Sequence, residues 1–432
     1  MSNRYAIGAC LLAVTATTPL TSAAGPTSAD NHIAYYQRIL QRNPANARTY
    51  HRLGDALIRK ARETGDVAYL DRAEAALQKS LELAPANAGA WRHLAHVFYT
   101  RHEFDQAAGH ARKAIDLDAA DGHAWGVLGD ALLETGRYDE AENAYARMLA
   151  IEPDLHGWSR RAGLKSIRGD VAGAVDDLER AVAEGRLAGR PPESVAWALW
   201  QLGHEHFAVG NVEAAALRHQ EALQTYPGYH RALAGLAQVR AAQQRYDEAV
   251  TLYRRALAVV PLPEYAAALG DVLTKAGRAN EARTHYALVE YIGRLNAVNR
   301  VLYSRELAYF YADHDIELAT ALELARKELT VRQDVYAYDV LAWALLKNGQ
   351  AADACEAIGQ ALRLGTRDAR LFFHAGMIHR ALGETERARQ YLSRALATNP
   401  RFDVLQADVA ERVLAGLGST SARSDGGPSG AE

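Results

Sequence analysis

Cysteine is nearly absent: Cys10 and Cys355 are the two in 432 residues. If the N-terminal segment is removed, Cys355 alone remains. Neither an internal disulfide nor a cysteine-based zinc site is then open to the chain. Its stability has to come from packing, and Cys355 lies in a helical pattern where it reads as a small buried hydrophobe. Lysine is scarce too, with seven among 49 positive residues, and the formal net charge is −3. The positive charge is scattered arginine, with no basic tail or block, so nothing calls for nucleic acid. Long apolar runs are missing: Ala6 to Ala16 is too short for a permanent span of about 20 residues, so no membrane span is expected. Gly-x-Ser-x-Gly, the phosphate loop, the dinucleotide glycine motif and His-Glu-x-x-His are all missing. No catalytic residue, cofactor or metal ligand is therefore assigned, and acid pairs such as Asp176-Asp177 read as a solvated helix face.

What is present begins with a leader. Arg4 supplies the positive start, Ala6 to Ala16 the apolar core, Pro19 the break and Thr21 to Ala24 the small residues of a cleavage site. Residues 1–24 read as a secretory signal peptide, which implies a periplasmic or extracellular protein; if the leader is not cleaved, the protein is cytoplasmic.

A repeat then dominates. Trp91, Leu94, Ala95 and Phe98, followed by Ala107, Ala111 and Ala114, return 34 residues on as Trp125, Leu128, Gly129 and Leu132, followed by Ala141, Tyr145 and Met148. The frame recurs at Leu233–Ala256, Tyr338–Ala361 and Phe372–Ala395. Spacings of three, one and three make one stripe of a first helix, and spacings of four and three make one stripe of a second. Gly136, Gly277, Gly349 and Gly383 mark the turn between them, and Pro153, Pro227, Pro261 and Pro400 stop the second helix. A small residue inside the first helix (Gly54, Ala95, Gly129, Gly203, Gly270, Gly376) is expected to let two backbones approach.

This frame resembles the tetratricopeptide repeat over about residues 31–400. The resemblance implies an all-α, right-handed α-solenoid of about ten stacked helix-turn-helix units. Residues 31–186 and 194–400 read as two arrays, with 187–193 as a loop and possible hinge between them. Residues 401–417 read as an amphipathic C-terminal capping helix and 418–432 as a disordered tail. The copy at about 298–329 is irregular and lacks the glycine turn.

The resemblance also implies a concave groove lined by first helices. The residue after each small residue, and those four before and three after it, should face that groove. Its N-terminal half then presents Asp55, His96, Asp130 and His204, and its C-terminal half Tyr309, Trp343 and Met377. A polar end and an aromatic end suit a partner peptide or helix, with aromatic anchors dominating affinity. His51 and Asp55 stand where a two-carboxylate clamp would place Lys and Asn, so capture of an acidic terminus by that device is not expected. The expected function is an extracytoplasmic scaffold or assembly factor without enzyme activity. The alternatives are a cytosolic regulatory scaffold or a periplasmic metal handler using histidines such as His93, His96, His204 and His206. Neither the partner nor the oligomeric state is specified by these residues.

Overall fold

The computed structural model describes residues 28–64, 66–298 and 304–421. The leader at 1–24, Gly65 in the first hairpin and residues 422–432 of the tail lie outside the described residues. The described residues fold into twenty-two helices and no strand.

A single helix, α1 (Ser28–Arg42), precedes consecutive pairs. These are α2 (Ala47–Thr64) with α3 (Ala68–Leu83), α4 (Ala88–Thr100) with α5 (Phe104–Leu117), α6 (Gly122–Glu134) with α7 (Tyr138–Ile151), and α8 (Leu155–Ile167) with α9 (Val171–Leu187). There follow α10 (Pro192–Ala208) with α11 (Val212–Thr225), α12 (His230–Ala242) with α13 (Tyr246–Val259), and α14 (Pro263–Lys275) with α15 (Ala279–Val298). Then come α16 (Ser304–Asp313) with α17 (Leu318–Val331), α18 (Val335–Lys347) with α19 (Ala351–Leu362), and α20 (Ala369–Ala381) with α21 (Thr385–Thr398). The last helix is α22 (Gln406–Ser421), which runs past Leu417 into the stretch read as tail. First helices also touch first helices, as α4 does α6 and α18 does α20, which is the stacking of an α-solenoid.

The turns explain why the chain reverses where it does. At Gly136, Gly277, Gly349 and Gly383 the backbone is left-handed, with φ between 73° and 77°. The following N–H bonds back five residues, as Arg137 does to the Leu132 carbonyl at 2.8 Å, closing the helix end. The same turn forms without glycine: His102 and Gln244 take φ of 63° and 61°, and Asp315 and Glu317 do so in the irregular copy. Stacking imposes the turn even where the residue resists it.

The small residue of the first helix makes room mostly for a side chain of the partner helix, with the backbone itself close only at Gly376, where a Cβ would lie 3.1 Å from the Leu392 nitrogen. A Cβ on Gly129 would lie 2.3 Å from Tyr145 Cε1, and one on Gly270 would lie 2.3 Å from Tyr286 Cε1. The partner helix lays a tyrosine ring over the glycine. Each ring then donates its hydroxyl to an aspartate one residue on: Tyr145 to Asp130 at 3.0 Å, and Tyr286 to Asp271 at 2.9 Å.

Two compact units divide the chain between Leu164 and Lys165, upstream of the 187–193 loop. Of the described residues, the N-terminal unit holds those up to Leu164 together with Val260–Leu262. The C-terminal unit holds Lys165–Val259 and the described residues from Pro263 on. At the loop itself α9 and α10 pack directly on each other.

Candidate functional site

In the N-terminal unit the first helices carry a polar face. His51 on α2 and His93 on α4 meet at 2.9 Å, Nε2 to Nδ1, so one imidazole donates to the other. Asp55 Oδ1 stands 3.8 Å from the far nitrogen of His93, and the Arg92 guanidinium is 3.3 Å from it. Arg92 also reaches both Asp121 oxygens, at 3.1 and 2.9 Å. Asp121 in turn accepts from the Ala124 amide at the start of α6, so this ion pair ties α4 to a helix cap. Arg160 on α8 holds Asp130 on α6 with Nε at 2.9 and 3.0 Å and a terminal nitrogen at 2.9 Å. Asp130 is buried, so of the predicted groove residues it serves as a structural anchor.

His96 lies among these charges. Burial, and then Arg62, Arg160 and Arg92, push its pKa down to about 4. It is a neutral imidazole with guanidinium groups around it at physiological pH. Asp55 and His93 keep 37% and 20% of their side-chain surface, so the face meets solvent. Trp91 and Trp125 brace the inter-repeat turns instead. Their indole N–H groups donate to the Pro85 and Ala119 carbonyls six residues earlier, at 2.9 and 3.1 Å.

The aromatic positions of the C-terminal unit differ in kind. Trp343 is 3% exposed, donates to Asp313 Oδ1 at 2.8 Å and stacks on His374 with ring centroids 4.2 Å apart. Tyr309 donates to Asp339 Oδ2 at 2.7 Å. Asp339 and His374 are fully buried and bonded at 2.9 Å. Met377 is half-buried, and His204 lies near Trp200 with centroids 6.1 Å apart. The reading of Trp343 as an anchor presented to a guest is therefore corrected, since it is buried; Tyr309 is half-buried and bonded to the same polar network.

A segment of the same chain reaches two residues that border this network, Phe373 and Asp313. After α21, Asn399 donates its amide to the Phe207 carbonyl at 2.7 Å. Phe402 packs on the Phe373 ring of α20 at 5.6 Å, and Val404 packs on the cluster of Tyr253, Leu269 and Val272. Gln406 donates to Asp313 at 2.5 Å, and Asp408 pairs with Lys275 at the end of α14. The predicted capping helix thus also reaches back across the inner faces of earlier repeats. Amphipathic patterning had shown an apolar side on this segment but not which surface covers it.

Among the described residues no group of three or more His, Cys, Asp or Glu is placed to hold a metal ion. No described helix is long and apolar enough to cross a membrane.

Stacked hairpins with a glycine turn and a first-helix inner face define a repeat-built binding scaffold. Sequence profiles of the tetratricopeptide repeat match residues 98–165, 206–272 and 340–401, and these stretches are tetratricopeptide repeats. No curated protein matches it in sequence. Among solved structures it is similar to YrrB, described as a TPR protein with an unusual peptide-binding site, at 18% identity over 44% of this chain and 94% of that one, with a TM-score of 0.31. It is similar to yeast Tom70 at 12% identity over 92% and 94%, with a TM-score of 0.40. It is also similar to the human IFIT1 dimer with PPP-AAAA at 16% identity over 77% of each chain, with a TM-score of 0.49.

Proposed function

We propose that this protein is a non-enzymatic scaffold that captures a partner protein or peptide on the first-helix face of its N-terminal unit. The observation that carries the reading is the contrast between the two sets of groove positions. His51, Asp55, Arg92, His93 and His96 form a partly exposed polar face spread over successive repeats. Tyr309 and Trp343 are consumed by internal bonds. A preformed face on rigid helices binds at low ordering cost, and its charges set specificity and on-rate.

We further propose that the scaffold works outside the cytoplasm. The supporting feature is the leader pattern of Arg4, Ala6–Ala16 and Thr21–Ala24. N-terminal sequencing of the native protein tests it: a start near Gly25 is expected, and an intact Met1 or Ser2 refutes it.

The binding reading is tested with the full chain as bait in the native cell extract. Proteins held by the wild type should be lost from an Arg92→Ala, His96→Ala bait with unchanged helicity. Retention of the same proteins by both baits contradicts the proposal.

A further inference from the structure

The segment from Arg401 to Asp408 behaves like a guest in a groove. It crosses the inner positions of four first helices: Gln238 on α12, Asp271 and Lys275 on α14, Asp313 at the end of α16, and Arg370 and Phe373 on α20. It is a run of turns from Pro400 to Leu405 that leads into the first turn of α22. Its contacts are those of a docked ligand, with an aromatic residue (Phe402) and an aliphatic one (Val404) in apolar places and two carboxylates (Asp403, Asp408) facing cations.

The fit is imperfect. Arg370 is 7% exposed, yet its terminal nitrogen Nη2 has no hydrogen-bond partner among the described residues. The nearest carboxylates, on Asp403 and Asp313, are 3.7 and 3.8 Å away. Gln406 Oε1 is likewise buried without a partner. A cavity of about 50 Å³ lies beside the segment, bordered by Gln238, Tyr253, Asp271 and Arg401. A buried guanidinium nitrogen without a hydrogen bond is costly, and a carboxylate in bidentate contact would satisfy it better than Asp403 does.

We propose that Arg401–Asp408 is an in-cis occupant that closes a second docking groove. The guest that displaces it is an acidic peptide with an aromatic residue beside its carboxylate, which seats on Arg370. This goes beyond the face of the N-terminal unit and does not depend on it. Tethering gives the segment a high local concentration, so a free peptide competes weakly until the segment is loosened.

The test uses the full chain and a fluorescent peptide of residues 400–421. Hydrogen exchange of the wild type should show Phe402–Asp408 opening at least about tenfold faster than α12, α14 and α20, because a displaceable segment opens locally. The Phe402→Ala, Asp403→Lys chain should bind the peptide at least about tenfold more tightly than the wild type, and a peptide with Asp403→Lys should not bind. Circular dichroism checks that the variant keeps its helix; if it does not, Asp408→Lys replaces it under the same criterion. Exchange of the segment only together with α12 and α20 overturns the proposal. So does equal affinity for both chains, or no binding to either, since the segment is then an ordinary part of the core.

Discussion

The two units use the same groove positions in opposite ways. In the N-terminal unit they hold His51, Asp55, Arg92 and His96 in a partly exposed face whose ion pairs brace neighbouring helices. In the C-terminal unit they hold Tyr309, Asp339, Trp343 and Phe373, with the chain's own segment lying against Phe373. Aromatic residues at a groove position are thus no sign of an exposed anchor. Where neighbouring helices bury them, as at Trp343, they become core, and their polar tips need partners such as Asp313 and Asp339.

The largest effect that sharpens this contrast is expected from Trp343→Ala. Removing a buried indole should cost about 3–5 kcal/mol and leave Asp313 short of a donor. Denaturant melting should show the C-terminal unit unfolding earlier, while capture by the N-terminal face persists. Loss of capture at unchanged stability would instead restore Trp343 as an anchor.

Acid should act next. Burial, and then the neighbouring His206, push His219 down to about 3. Its folded value lies below the unfolded one of about 6.5, so the unfolded chain takes up the proton first. The contribution is therefore complete above about pH 6.5 and is lost as pH falls toward 3, on the order of 3 kcal/mol by pH 4. His230, held near 3 by burial and then Arg231, adds in the same direction. The alkaline limb has the opposite sign. Burial pulls His314 down, but its hydrogen bond at 2.8 Å to Asp271 and the charge of that carboxylate outweigh burial and push it up to about 9. The stability it lends is full below about pH 6.5 and fades as pH rises through 9. Thermal melting from pH 4 to 10 should therefore give a maximum between the two limbs. A flat profile would refute both assignments.

The smallest effect concerns the turns. Gln244→Gly removes a left-handed non-glycine residue and should raise stability by about 0.5–1 kcal/mol, read from the denaturant midpoint. A loss would show that the Gln244 side chain matters more than its backbone.

Much of the fold was legible because it is local. Helix stripes, glycine turns and the small first-helix residue all repeat within about 34 residues, so periodicity exposes them. Groove positions could be named as well, since they follow from the frame. What they touch could not. The contact of Asp408 with Lys275 joins residues far apart in the chain, and no periodic signal marks it. The same holds for Asn399 on the Phe207 carbonyl. His219 and His374 went unnoticed for a related reason. Each sits at an ordinary helix position, and only the packed neighbours make it a buried imidazole. His219 had one available sign, since Gly203 and Gly235 leave room on either side for its ring.

The central claim is that capture rests on the N-terminal face and not on the C-terminal groove positions, of which Met377 is half-buried. The most direct measurement is the affinity of a captured partner for two full-length variants, Arg92→Ala, His96→Ala and Met377→Ala. Weakening by at least about tenfold in the first, roughly the loss of one charge-assisted contact, and wild-type affinity in the second is the predicted result. Wild-type affinity in the first and weakening in the second would contradict the account.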